Sequence, residues 1–153
     1  MIFYKSEQGV LRMDKSQIKE LLHGQKFRLT SERESLLELF ASSSSMFTPG
    51  QLHELAGKNN IKIGLTTVYR MLEVLTKVGV ATPFLVDGTI YYAFCESEHH
   101  HHFVCLSCHR VTDIHDSCPS FKVPGNFRVS SHRSDLYGTC SSCQTENETG
   151  CSH

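Results

Sequence analysis

The chain has 153 residues, enough for one ordinary domain or two small ones. With 39% hydrophobic and 20% charged residues it is neither a disordered nor a membrane-embedded chain, and no apolar run approaches the roughly 18 residues that span a bilayer. Net charge is −1, yet residues 1–80 carry eleven Lys/Arg against eight Asp/Glu and residues 81–153 four against eight, so a basic front half precedes an acidic back half.

The opening MIFYKSEQGVLRMDK has no apolar stretch behind a basic start, so no export signal is expected and the chain reads as cytoplasmic. SQIKELLH (Ser16 to His23) then predicts a helix with Ile18, Leu21 and Leu22 on one face, stopped by Gly24. In TSERESLLELF, Ser31 and Glu34 have the spacing of a capping box, and Leu36, Leu37 and Phe40 form the apolar stripe behind it. Thr48-Pro49-x-Gln51 combines an N-cap, a proline at the first helical position and a box partner, which predicts a third helix. LTTVYRMLEVLTKVG predicts a fourth from about Leu65 to Val78, with Val68, Leu72, Leu75 and Val78 on its buried side and Gly79 as its stop. VATPFLV and TIYYAF, joined by Asp87-Gly88, read as a β-hairpin. Helices closed by a hairpin predict a winged helix-turn-helix. The back half (HFVC, RVTDI, FRVSSHRSDLYGTC) alternates short strands with turns.

All seven cysteines lie at Cys95 or later, an odd number in a chain without an export signal, which favours metal binding over disulfides. Cys105-x2-Cys108 and Cys140-x2-Cys143 are two pairs that can each present two sulfurs from a tight turn; together they form a closed tetrahedral zinc site, structural because no coordination position stays open. The long gap between the pairs predicts a strand pair or helix within it. Ahead of them stands His99-His100-His101-His102. In an extended strand His100 and His102 share one face and His99 and His101 the other. Cys95, Asp113 and His132 lie near enough in sequence to add sulfur, oxygen and nitrogen donors suited to Zn(II). Nothing supplies the open metal position and general base of a zinc hydrolase, so no enzyme and no small-molecule substrate are expected.

FRLTSERESLLELF, GLTTVYRMLEVLTKVG, HHHHFVCLSCHRV and HRSDLYGTCSSC, in that order, resemble the ferric uptake regulator family over about Ile18 to Glu146. FCESEHHHHFVC and DSCP resemble its zinc uptake regulator branch most. The resemblance implies an α+β chain: a winged-helix DNA-binding domain (residues 1–95) and a small C-terminal α/β dimerisation domain (residues 96–153) with the four-cysteine zinc. It implies a homodimer that represses zinc-uptake genes from a palindromic double-stranded DNA operator, with at least one regulatory zinc per subunit besides the structural one. Carried onto this chain, the regulatory ligands are Cys95, His100, His102 and Asp113, with Asp87 an alternative for the fourth. His99, His101 and His132 match a further metal site of some members. Lys15, Arg33, Thr67, Tyr69 and Arg70 match DNA-contacting positions on or near the recognition helix.

The chain departs from the family at several points. Met46 replaces a metal-binding histidine and Ala93 an acid of the iron regulators; Thr82 replaces a carboxylate of some zinc relatives. The further site's acid has no counterpart near Ser120, and CPSFKVPGNFRV is a shortened segment that predicts a truncated dimerisation helix. Competing readings are a sibling sensor of iron, manganese or peroxide and a zinc-ribbon interaction module without DNA.

Overall fold

The computed structural model describes residues 4–5, 11–95 and 99–148, with side chains described for 13–95 and 99–145; Cys151 lies outside them. The chain forms two compact units, Met1–Glu98 and His99–His153.

The first unit opens with a short antiparallel ribbon, β1 (Tyr4–Lys5) and β2 (Leu11–Arg12). Four helices follow: α1 (Lys15–Gly24), α2 (Ser31–Ala41), α3 (Pro49–Lys58) and α4 (Leu65–Lys77). Their starts are set by side chains that satisfy the first orphan N–H groups. Asp14 accepts from the Gln17 N–H while Gln17 accepts from the Asp14 N–H, both at 2.9 Å, so α1 begins one residue before the predicted Ser16. At α3 the expected Thr48–Gln51 box forms around Pro49.

At α2 the expectation is corrected. Thr30, extended at φ −81° and ψ 169°, is the N-cap and accepts from the Arg33 N–H, which places Ser31 inside the helix. Glu34 does not close a box with Ser31; its carboxylate meets Lys19 of α1 at 2.6 Å. A threonine one position earlier was equally able to cap, and the lysine offers Glu34 an opposite charge.

Leu22, Leu36, Leu37, Phe40, Leu52 and Ala56 pack with Val68, Met71, Leu72 and Leu75 of α4 into the core of this unit. Val78 is the C-cap and, half-buried, still packs against this core, while Met71 joins the fully buried stripe. Gly79, at φ +80°, reverses the chain so that its own N–H reaches the Thr76 carbonyl and the Val80 N–H the Leu75 carbonyl. Strands β3 (Ala81–Val86) and β4 (Thr89–Phe94) then form the wing. Asp87 and Gly88 both have positive φ, 48° and 78°, the requirement of the two-residue hairpin turn. Phe47 pairs with Tyr92 in both directions, at 2.9 and 2.7 Å, and so ties the segment before α3 to the wing.

The second unit is a mixed sheet of order β6-β5-β7 followed by α5 (Ser141–Glu148). Strand β5 (His101–Cys105) runs antiparallel to β6 (Val111–Ile114) and parallel to β7 (Asp135–Gly138). Residues 115–134 contain neither strand nor helix, so within the expected strand-and-turn run FRVSSHRSDLYGTC only Asp135–Gly138 is a strand, and no dimerisation helix forms in the shortened segment. Pro119, Pro124 and Gly125 explain this: each proline lacks an N–H to donate, and the glycine favours neither element. Among the described residues no helix is long and apolar enough to cross a membrane.

Candidate metal centre

The parallel pairing of β5 with β7 brings the cysteines together. Cys105, the last residue of β5, lies opposite Gly138, the last of β7, so both strands deliver their following turns to the same end of the sheet. After β5 the chain turns through Cys108, with the His109 N–H on the Cys105 carbonyl at 3.0 Å and His109 at φ 59°. After β7, Cys140 immediately precedes α5 and Cys143 lies in its first turn.

The four sulfurs lie within 4.8 Å of one another, and those of Cys108 and Cys140 are 3.8 Å apart. A tetrahedron with zinc–sulfur bonds of about 2.3 Å has edges of about 3.8 Å, so the quartet fits zinc. Burial raises the Cys105 thiol, but the N–H groups of Cys108, Cys140 and Ser107 outweigh it and bring its pKa to about 6. Hydrogen bonding from Cys140 and then burial push Cys143 up to about 12. Without a cation, therefore, one thiolate forms and holds a neighbour protonated; a divalent ion removes that conflict.

The histidines divide by face as expected, although strand structure begins only at His101. On one face the rings of His100 and His102 are 4.5 Å apart. Asp113 approaches His100 at 3.6 Å, and Asp135 meets His102 Nδ1 at 2.9 Å. Asp135 also accepts from Arg133 Nε. The sequence reading missed Asp135 because its role depends on β7 lying beside β5, which no local spacing reveals. Cys95, in the first unit, is buried directly after β4 and its N–H donates to the Val80 carbonyl at 2.7 Å. Asp87 occupies the wing turn.

On the other face, His99 and His101 have ring centroids 5.2 Å apart, and His132 lies 4.6 Å from His99 and 5.9 Å from His101. His132 sits just before β7 rather than within a strand. Cys118 joins them, its sulfur 2.8 Å from His99 Nε2. Desolvation, followed by the rings of His132, His101 and His100, holds the His99 pKa below its ordinary value, which favours the neutral ring.

In the first unit, α4 turns Val68, Met71, Leu72 and Leu75 inward and leaves Thr66, Tyr69 and Arg70 exposed, with Thr67 half-buried. Tyr69 is 55% exposed, so its ring is not packed away against the wing. Arg33 donates to the Arg28 carbonyl at 2.7 Å and lies 4.6 Å over the Phe27 ring. With Lys62 and Thr67 it lines a small recess at the Gly64 start of α4, where no side chain caps the helix. Lys15 is paired with Glu38. Met46 and Ala93, at the two positions of lost ligands, are both buried.

A winged helix with an exposed recognition face, followed by a sheet whose four clustered cysteines fit zinc, defines the class of metal-binding DNA-binding proteins. The model of the ferric uptake regulator family matches residues 24–136, and the chain belongs to that family of metal-responsive DNA-binding regulators. It is 29% identical over 136 residues to the ferric uptake regulation protein of Bacillus subtilis, covering 82% of this chain and 91% of that one. It is 30% identical over 124 residues to the zinc uptake regulation protein of Mycobacterium tuberculosis, covering 77% and 95%. A solved structure of a zinc uptake regulator complexed with zinc and DNA matches with a TM-score of 0.58 at 19% identity, over 89% of this chain and 95% of that one.

Proposed function

We propose that the protein is a zinc-responsive transcriptional repressor, a cytoplasmic homodimer whose operator binding is switched on by Zn(II) at Cys95, His100, His102 and Asp113. The observation that carries this reading is the pairing of His100 with His102 on one strand face, with Asp113 beside them. Cys95 stands five positions before His100 at the end of the wing. A thiolate among imidazoles makes the set softer than one of nitrogen and oxygen alone, which favours zinc over manganese or iron(II). The resemblance to the Mycobacterium tuberculosis zinc regulator supports the same metal.

DNA recognition is assigned to the first unit and dimerisation to the second. Arg70 reads guanine and Tyr69 packs on a thymine methyl from the exposed face of α4. Thr67 and Arg33, beside the uncapped start of that helix, hold phosphate oxygens. Lys15 reaches the backbone by exchanging its exposed Glu38 partner for phosphate.

Zinc acts only through its differential affinity for the DNA-competent arrangement; converting 1:99 into 99:1 takes about 5.5 kcal/mol. Operator binding must reciprocally tighten zinc binding. Titration of operator affinity against free zinc tests the proposal. Cys95→Ser is expected to abolish the zinc dependence while leaving a folded dimer, and unchanged zinc-dependent affinity in that variant refutes the assignment. Equal activation by Mn(II) or Fe(II) in the wild type would instead make the protein a sensor of another metal.

A further inference from the structure

Two ion pairs join α1 to α2: Lys15 with Glu38, and Lys19 with Glu34 at 2.6 Å. We propose that Glu38 and Glu34 are internal competitors of DNA phosphate, holding the two lysines in the free protein and lowering its affinity for any duplex until phosphate oxygens replace them. The inference rests on the reading of Lys15 as a backbone contact. It goes beyond that reading by assigning Lys19 the same part and by giving the two carboxylates a role in binding.

The two rungs follow from helical spacing. Lys15 and Lys19 stand one turn apart on α1, and Glu34 and Glu38 one turn apart on α2, so each pair shares one helix face. The rungs run in opposite directions along the two helices, which matches each lysine to one carboxylate. Both contacts are felt as charge. Hydrogen bonding to Glu38 raises the Lys15 pKa above its ordinary value, and hydrogen bonding from Lys19 holds that of Glu34 below its own.

The fold has little need of them. Ile18 and Leu22 of α1 and Leu36, Leu37 and Phe40 of α2 are buried in one core, whereas the side chains of Lys15 and Glu38 are 59% and 50% exposed. Ion pairs this open to water contribute little to stability. What they alter is the charge offered to a polyanion: a lysine on phosphate adds to the counterions released, and a lysine held by a carboxylate does not. Arg33, which holds phosphate in the same reading, directly precedes Glu34 on α2. Glu32 repeats the arrangement in the recess that it lines with Arg33 and Lys62.

The consequence is a ceiling on affinity that does not involve the metal. Attraction to phosphate is independent of base sequence and supplies most non-specific binding. Attraction of that kind needs no zinc, so in excess it would hold the metal-free chain on DNA as well. Exchange of each carboxylate for phosphate subtracts from the affinity of both metal states by the same factor. The ratio between them is kept, and the metal-free state is moved towards release.

The test uses Glu38→Gln and Lys15→Ala, singly and together, in the full zinc-loaded chain. Fluorescence anisotropy against KCl concentration follows two probes: a random-sequence duplex, and the duplex that the wild type itself selects from a randomised pool. Glu38→Gln is expected to tighten both by up to about fivefold, the scale of one exposed ion pair. It should also steepen the slope of log K against log salt concentration by up to about 0.9, one further phosphate contact. In the Lys15→Ala background the same substitution should gain less, because a carboxylate that merely repels DNA gains as much without the lysine. Equal gains in the two backgrounds, or no gain in either, overturn the proposal. So does a lowered urea midpoint in Glu38→Gln, which would make the glutamate a structural residue. Glu34→Gln and Lys19→Ala form the second cycle, with the same expectations. If Lys15→Ala binds both probes as the wild type does, the contact beneath the inference falls and the inference with it. Zinc-independent binding of the selected duplex would instead refute the zinc-responsive repressor and leave the random-duplex comparison standing.

Discussion

His102 Nδ1 and Asp135 Oδ1 are 2.9 Å apart, across the parallel pair β5 and β7. A carboxylate on one imidazole nitrogen fixes the ring and directs the other nitrogen, Nε2, towards a metal. Asp135→Ala should therefore weaken binding of the proposed regulatory ion by about 10–100-fold and leave the tetrathiolate loaded. Competition with a chromophoric chelator measures this; unchanged affinity would detach Asp135 from the site.

The quartet makes a separate prediction. Cys140→Ser removes one of the four sulfurs gathered at the shared ends of β5 and β7, so with zinc as the proposed tie between them the second unit should lose its metal and its fold, and the dimer should dissociate. Sedimentation before and after the substitution decides it. A stable dimer would mean that the sheet stands without the ion.

Zinc uptake by the quartet should weaken as pH falls, since protons and metal compete for the same sulfurs. At pH 7 the metal-free Cys143, at about 12, is protonated, and zinc must displace that proton. Cys105, at about 6, is already mostly ionised, and acquires a competing proton only as pH drops through that value. The affinity should therefore fall more steeply below about pH 6 than above it. A pH series of zinc competition titrations with one slope throughout would contradict the assignment of Cys105.

Tyr69→Ala removes an exposed ring from α4 without touching the core. It should lower operator affinity by about 1–3 kcal/mol, the range of a base contact, and hardly affect binding to random duplex. Fluorescence anisotropy on both DNAs distinguishes this from loss of a phosphate contact, which would weaken the two equally.

Leu72→Ala tests the packing that presents that helix. Leu72 is 1% exposed within the first unit's core, so its truncation should cost about 2–5 kcal/mol of stability. Urea unfolding followed by circular dichroism gives the value, and a loss well under that range would show that neighbouring side chains collapse into the space.

Much of the first unit was legible because its signals are local. The Thr48–Pro49–Gln51 start, the Gly79 stop and the Asp87–Gly88 turn each depend on residues within a few positions of one another. Where two adjacent residues could play one part, as at Thr30 and Ser31, local spacing chose wrongly. Cys105, Cys108, Cys140 and Cys143 were legible for a different reason: two sulfurs at a two-residue gap have few other uses.

The sequence by itself determined the winged helix, the thiolate pairs and the two opposed faces of the histidine run, because periodicity and turn chemistry act over one turn or one strand. Only the tertiary structure decided which distant residues complete each face. Asp135 reaches His102, and Cys118 reaches His99, because β7 lies parallel to β5 and residues 115–134 fold back without regular structure. A parallel pairing requires a long connection, and what a long connection brings together depends on the path of the whole chain rather than on any spacing within it.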